Sequence, residues 1–247
     1  MSLISKLRLR TDWQIFRVLL TVPLYLLIDS EYGDALFNGY GQEVALILIF
    51  AGFVYSYSGS TQRVKSVMLL GMVVGMAGEL LFSLGLGMYH YRLENVPLWL
   101  IFGHGLIFSA VYRLSHTPAV WRNRELIQKV LIAFAIVYAF SWLIFGNDWY
   151  GFLCTIVFLL VLFMAKKSRL FFLIMFVEVC YIELVGTAVG CWYWPEMAFG
   201  LYSWLPSANP PSGIAVFYFL FDAAVLLIYL NVINPKTKQR YQQLKKL

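Results

Sequence analysis

The sequence predicts an all-α polytopic membrane protein with about eight transmembrane helices. Three observations predict it. Hydrophobic residues make up 61% of the 247-residue chain and charged residues only 13%, whereas a soluble domain carries about a quarter charged residues. The apolar residues gather into long runs separated by short polar connections, and no run alternates at the two-residue period of an outer-membrane barrel strand. The basic residues cluster in alternate connections, as topology requires of a membrane protein.

The elements follow in order. Residues 1–13 are a basic head (Lys6, Arg8, Arg10), and span 1 covers about 14–29. No small-x-small cleavage site follows it, so it reads as a retained span and not a removed signal peptide. Pro23 is a kink of the kind membrane helices tolerate, and Arg17 snorkels to the surface. An acidic, Gly-rich connection, 30–41, leads to span 2 (about 42–57). Arg63 and Lys65 precede span 3 (about 66–88), which carries Glu79. After the short loop 89–96, span 4 (about 97–114) carries His104. A basic connection follows with Arg113, His116, Arg122, Arg124 and Lys129. Span 5 (about 127–145) turns at Gly146-Asn147-Asp148 into span 6 (about 149–165). Lys166, Lys167 and Arg169 come next, then span 7 (about 170–191) with Glu178 and Glu183. The loop 192–211 is rich in Trp, Pro and Gly. Span 8 (about 212–233) carries Asp222, and the tail is basic from Lys236 to Lys246.

With eight spans and a cytoplasmic N-terminus, 18 of the 19 Lys and Arg lie on the cytoplasmic side, and only Arg92 lies outside. The positive-inside rule then places both termini in the cytoplasm, as for a bacterial inner-membrane protein. The net charge of +6 is thereby a topology signal and no sign of a nucleic-acid partner. Cys154, Cys180 and Cys191 form no CxxC pair, which argues against a disulfide framework or a zinc site.

A motif occurs twice. Glu79 is followed by Gly87-x-Tyr89-x-Tyr91, Asn95-x-Pro97 and His104. Glu183 is followed by Gly190-x-Trp192-x-Trp194, Asn209-x-Pro211 and Tyr218. The chain therefore reads as one integral membrane domain, 1–247, of two four-helix repeats, 14–114 and 127–233. An even number of spans per half gives both the same orientation. At about 1.5 Å per helical residue, Glu79, His104, Glu183 and Asp222 lie roughly 10–15 Å from the outer ends of their spans, in one layer. A charge at mid-membrane costs about 2.5–3.5 kcal/mol on insertion scales, so such groups face the bundle interior and pair. These four are the candidate catalytic residues. Tyr89, Tyr91, Asn95, Trp192, Trp194, Asn209 and Tyr218 are the candidate substrate contacts. The aromatic pairs also suit an interfacial belt, and the asparagines before proline also suit turns. Three histidines cannot supply the histidine boxes of a membrane di-iron enzyme, and no phosphate-cradling or dinucleotide fingerprint occurs. Carboxylates and imidazole suit a divalent metal, but no spacing motif supports one, and no cofactor is expected.

Glu79, Gly87, Tyr89, Tyr91 and Pro97, with a similar Glu183-Leu-Val-Gly-Thr and Trp192 and Trp194, resemble the carotenoid biosynthesis membrane proteins of the carotenoid hydratase type. The resemblance covers spans 3–4 and the start of spans 7–8. Asn209-Pro210-Pro211-Ser212-Gly213 and His104 have no counterpart in that pattern. It implies a lyase-like step on an isoprenoid. A carboxylic acid, Glu79 or Glu183, delivers a proton, aromatic faces stabilise the cation, and Asp222 or His104 positions water. The expected function is thus acid/base chemistry (hydration, isomerisation or cyclisation) on a long apolar lipid of isoprenoid or carotenoid type. A proton-coupled transporter, a vinyl-ether lipid hydrolase and a non-catalytic membrane scaffold are the alternatives.

Overall fold

The computed structural model describes residues 18–166 and 168–235. The basic head, the start of span 1 with Arg17, Lys167 and the tail beyond 235 lie outside the described residues. The chain is mostly helical. Helix α1 is Val18–Asp29. It is followed by the short α2 (Glu31–Leu36), α3 (Gly41–Ser58) and α4 (Gln62–Glu79). Beyond Glu79 the helix continues as a π-helical turn, Leu80–Gly85. Strand β1 (His90–Tyr91), α5 (Trp99–Ser115), the short α6 (Pro118–Arg122), α7 (Arg124–Gly146), α8 (Trp149–Met164) and α9 (Arg169–Ala188) follow. The loop after α9 then carries β2 (Trp192–Tyr193), β3 (Met197–Ala198) and β4 (Tyr202–Pro206). The last helix is α10 (Ala215–Ile228), which ends in a second π-helical turn, Tyr229–Ile233.

Among the described residues, five helical segments are long and apolar enough to cross a membrane: Gly41–Ser58, Gln62–Gly85, Arg124–Gly146, Arg169–Ala188 and Ala215–Ile233. Val18–Asp29 and Trp149–Met164 are shorter apolar helices. The described helices fall on the apolar runs of the sequence, but five of them rather than eight are long and apolar enough to span, and the runs 66–88 and 212–233 both end in a π-helical turn. The run 66–88 is not one regular helix, because Glu79 closes the α-helical part and the wider turn follows. The connecting loops are not plain coil, because they form two small antiparallel pairings, β1 with β2 and β3 with β4.

Small residues set the packing, as they do where lipid supplies no hydrophobic drive between helices. Helix α4 lies closest to α5. A Cβ on Gly71 would crowd Phe108 Cβ at 3.3 Å, and Gly75 lies directly beneath the His104 ring. Helix α7 buries little beyond Ala135 and Ala139, against α8 and α9, and turns large apolar side chains such as Phe145 and Ile144 outward. Helix α10 packs against α4, α8 and α9, and α5 packs against α9, which closes a bundle around α4, α5, α9 and α10.

Candidate functional site

Glycines place the aromatic pairs. Gly87 and Gly190 adopt φ of 58° and 74°, a left-handed conformation that glycine reaches without steric cost. Each turns the chain back over the helix it has just left. The next residues are extended, so alternate side chains share a face. Tyr89 and Tyr91 point inward, as do Trp192 and Trp194, and all four are buried. His90 and Tyr193 point outward and lie against each other with ring centroids 5.3 Å apart. The register pairs His90 with Tyr193 and Tyr91 with Trp192. Tyr89 thereby meets Trp194 (4.6 Å) and Tyr91 meets Trp192 (6.0 Å).

Beneath this aromatic roof sit the two glutamates, each 3% exposed. Glu79 Oε2 accepts hydrogen bonds from the hydroxyls of Tyr89 and, at 2.6 Å, Tyr91. Its Oε1 lies 2.9 Å from His104 Nε2. Glu183 Oε2 accepts from the indole N–H groups of Trp192 (2.8 Å) and Trp194 (3.0 Å), and its Oε1 accepts from Tyr218 (3.3 Å). The two clusters are built alike. Each takes two donors from the strand after its own helix and one group from the next helix. His104 and Tyr218 also face each other, with ring centroids 6.4 Å apart. Gly186 leaves the space in which the Trp192 ring lies, as Gly75 does for His104. Burial first, and then the Glu79 carboxylate, push the Tyr89 and Tyr91 phenols well above their ordinary range.

Both glutamates line one cavity of about 470 Å³. Tyr89, Tyr91, Trp99, Trp192 and Tyr218 share the end beneath the paired strands. His104 and Asp222 line its side, and mostly apolar residues of α1, α3, α4, α5, α9 and α10 form the rest. Asp222 is buried, and its Oδ2 has no hydrogen-bond partner among the described residues. The four carboxylate and histidine candidates thus converge on one space, with Tyr89, Tyr91, Trp192 and Tyr218. Trp194 stands just behind, on Glu183. The asparagines lie elsewhere. Asn95 is exposed and bonds Gln42 (2.8 Å), and Asn209 accepts from the Trp194 backbone N–H (3.0 Å). Glu178 is buried away from the cavity wall, with Oε1 unpartnered among the described residues. No group of three or more His, Cys, Asp or Glu among the described residues is arranged to hold a metal ion.

Two supports were not anticipated from the sequence. Asp148, fully buried, caps α8 through the Gly151 N–H (3.0 Å) and also accepts from the Ala208 (3.0 Å) and Ser212 (2.7 Å) N–H groups. It pins the loop, with its cis Asn209-Pro210 bond, from which α10 carries Tyr218 and Asp222 inward. Its place before an apolar run is an N-cap signal, but the contacts with 208 and 212 lie far off in sequence. On the other side, Arg92 pairs with Asp34 (2.6 Å) and donates to the Asp29 carbonyl (2.7 Å), fastening β1 to α1 and α2. Compared with known proteins, the chain matches no family model, no curated protein and no solved structure.

Proposed function

We propose that this chain is an inner-membrane enzyme that acts on a long apolar lipid of isoprenoid type by carboxylate acid/base chemistry, with hydration, isomerisation or cyclisation of a double bond as the reaction class. The observation that carries this reading is that Glu79, Glu183, His104 and Asp222 share the wall of a single, largely apolar cavity. Placing ionisable groups in an apolar interior is costly, so four of them lining one apolar cavity, one with an unfilled oxygen at Asp222, support chemistry there. In this reading the described helices form eight spans, both termini are cytoplasmic, and two four-helix repeats of one orientation meet at the paired strands. The likeness of the two glutamate clusters and the single external basic residue, Arg92, support that topology.

Hydrogen bonding divides the roles. Indole N–H groups only donate, so Glu183 Oε2 is filled by two donors and Glu183 serves as a fixed acceptor at the roof. Asp222 Oδ2 has no such donor and is the proton donor. Transfer of its proton to one alkene carbon leaves a cation on the other, which the faces of the surrounding tyrosine and tryptophan rings stabilise. In hydration, water adds to the cation and passes a proton to the Glu79–His104 pair. In isomerisation or cyclisation the same pair takes a proton from carbon. Return of that proton to Asp222 resets the site, so the net change is alkene plus water to alcohol, or alkene to isomer.

The test is mass spectrometry of lipid extracts from cells with the protein, without it, and with Asp222→Asn. A species differing by one water or by isomer position, present only with the wild-type chain, is expected. A lipid profile that does not respond to the protein would overturn the enzyme reading and favour transport.

A further inference from the structure

The shape of the cavity says how its ligand lies. On α4 it runs from Gly71 to Glu79, and on α9 from Met175 to Glu183. Each is eight residue steps, about 12 Å along the helix axis. The cavity is therefore a shaft parallel to the helices. Its carboxylates and imidazole are not spread along it. They collect at the roof and the adjoining side wall, while the far part is bounded mostly by residues such as Phe108, Met175 and Val225, with the neutral hydroxyl residues Thr21, Tyr55 and Ser56 among them. Two glycines from different helices face this shaft with room to spare. A Cβ at Gly52 on α3 would meet only the Tyr25 hydroxyl, at 3.8 Å, and one at Gly103 on α5 would meet only the Trp99 ring, at 3.6 Å. Neither glycine is needed for helix contact, unlike Gly75, where His104 occupies the space. Glycine in a helix interior costs roughly 1 kcal/mol relative to alanine, so a glycine that no neighbour requires points to space kept for something else.

We propose that the shaft binds a single extended apolar chain end-on, with the chain's terminal alkene or alcohol under the Glu79 and Glu183 roof, and that Gly52 and Gly103 set the width of chain it accepts. This rests on the reading above that the site acts on an apolar lipid, and it narrows the substrate to one whose reacting group is at or next to a chain terminus. The carboxylates and imidazole at one end of the shaft favour a chain that reacts at or next to its terminus over one that reacts at mid-length.

The test uses the full chain in detergent micelles and prenyl alcohols carrying a photoactivatable diazirine either on the terminal unit or beside the hydroxyl group at the other end. Adducts are mapped by peptide mass spectrometry. The two label positions are expected to give different maps, with one of them concentrated on the peptides of Tyr89–Tyr91 and Trp192–Trp194. Gly52→Leu and Gly103→Leu should each cut that labelling about tenfold or more, the equivalent of about 1.4 kcal/mol. Gly52→Ala should retain it, and a size-exclusion profile like that of the wild type shows that each variant folds. Identical maps for both label positions, or labelling that ignores both leucine variants, would overturn the proposal. The two readings fail separately. Labelling as expected with no lipid product leaves the end-on chain site standing and removes the acid/base chemistry. A product with labelling indifferent to Gly52 and Gly103 does the reverse.

Discussion

Replacement of Glu183 separates its structural load from its chemistry. Glu183→Ala removes the acceptor for two buried indole N–H groups, at 2.8 and 3.0 Å, and for the Tyr218 hydroxyl at 3.3 Å. A buried donor left without an acceptor costs about 1–3 kcal/mol, so the two indoles alone predict a loss of about 2–6 kcal/mol. Interhelical hydrogen bonds in membranes average nearer about 0.6 kcal/mol, because freed groups find other partners. Trp192 and Trp194 are each 5% exposed under a closed roof, which leaves them few alternatives and favours the larger figure. Glu183→Gln keeps the shape. Its amide oxygen can accept from both indoles, and its NH2 can donate to the Tyr218 oxygen. The glutamine variant should therefore unfold within about 1 kcal/mol of the wild type, while the alanine variant should fall well below both. Unfolding in mixed micelles, followed by near-ultraviolet circular dichroism of the tryptophans, reads this difference. If alanine proves as stable as wild type, or glutamine as damaging as alanine, the hydrogen-bond argument fails.

Other consequences can be tested in the same assay. Asp148→Ala strands three backbone N–H groups and should cost about 3 kcal/mol or more, with Asp148→Asn milder because one oxygen remains. Gly75→Ala sets a Cβ against the His104 ring and should destabilise the α4–α5 contact by about 1–3 kcal/mol. The Tyr89 and Tyr91 phenols are raised in the folded state, so their contribution is fully present below the unfolded phenol value of about 10 and is lost as pH rises above it. Stability should accordingly fall with pH in the alkaline range, and Tyr91→Phe should flatten that slope.

The apolar runs and the buried carboxylates were legible in the sequence because burial in lipid constrains composition along whole helices. The Gly-x-aromatic-x-aromatic motif was legible as a repeat, but its purpose was not. That each pair reaches back to the glutamate of its own helix depends on the left-handed turns at Gly87 and Gly190 and on the pairing of β1 with β2. That pairing joins residues about a hundred positions apart. The near-equal depths of Glu79 and Glu183 suggested one layer, yet only packing shows that they share a cavity. It also separates Asp222, with an unfilled oxygen, from Glu183, whose oxygens are met by two indoles and a phenol. Asn95 and Asn209 looked equivalent by spacing, but one bonds Gln42 at the surface and the other holds the Trp194 backbone. The π-helical turn after Glu79 left no readable mark, because Leu80–Gly85 has the composition of any apolar helix.

The most direct test of acid/base chemistry at this site is isotopic. Membranes holding the wild-type chain, or Glu79→Gln, are incubated in deuterium oxide with the cell's own lipid extract, and lipids are analysed for deuterium bound to carbon. Deuterium in one lipid class with the wild-type chain, absent with Glu79→Gln, is the predicted result. Folded wild-type protein that leaves every lipid free of carbon-bound deuterium would contradict the account.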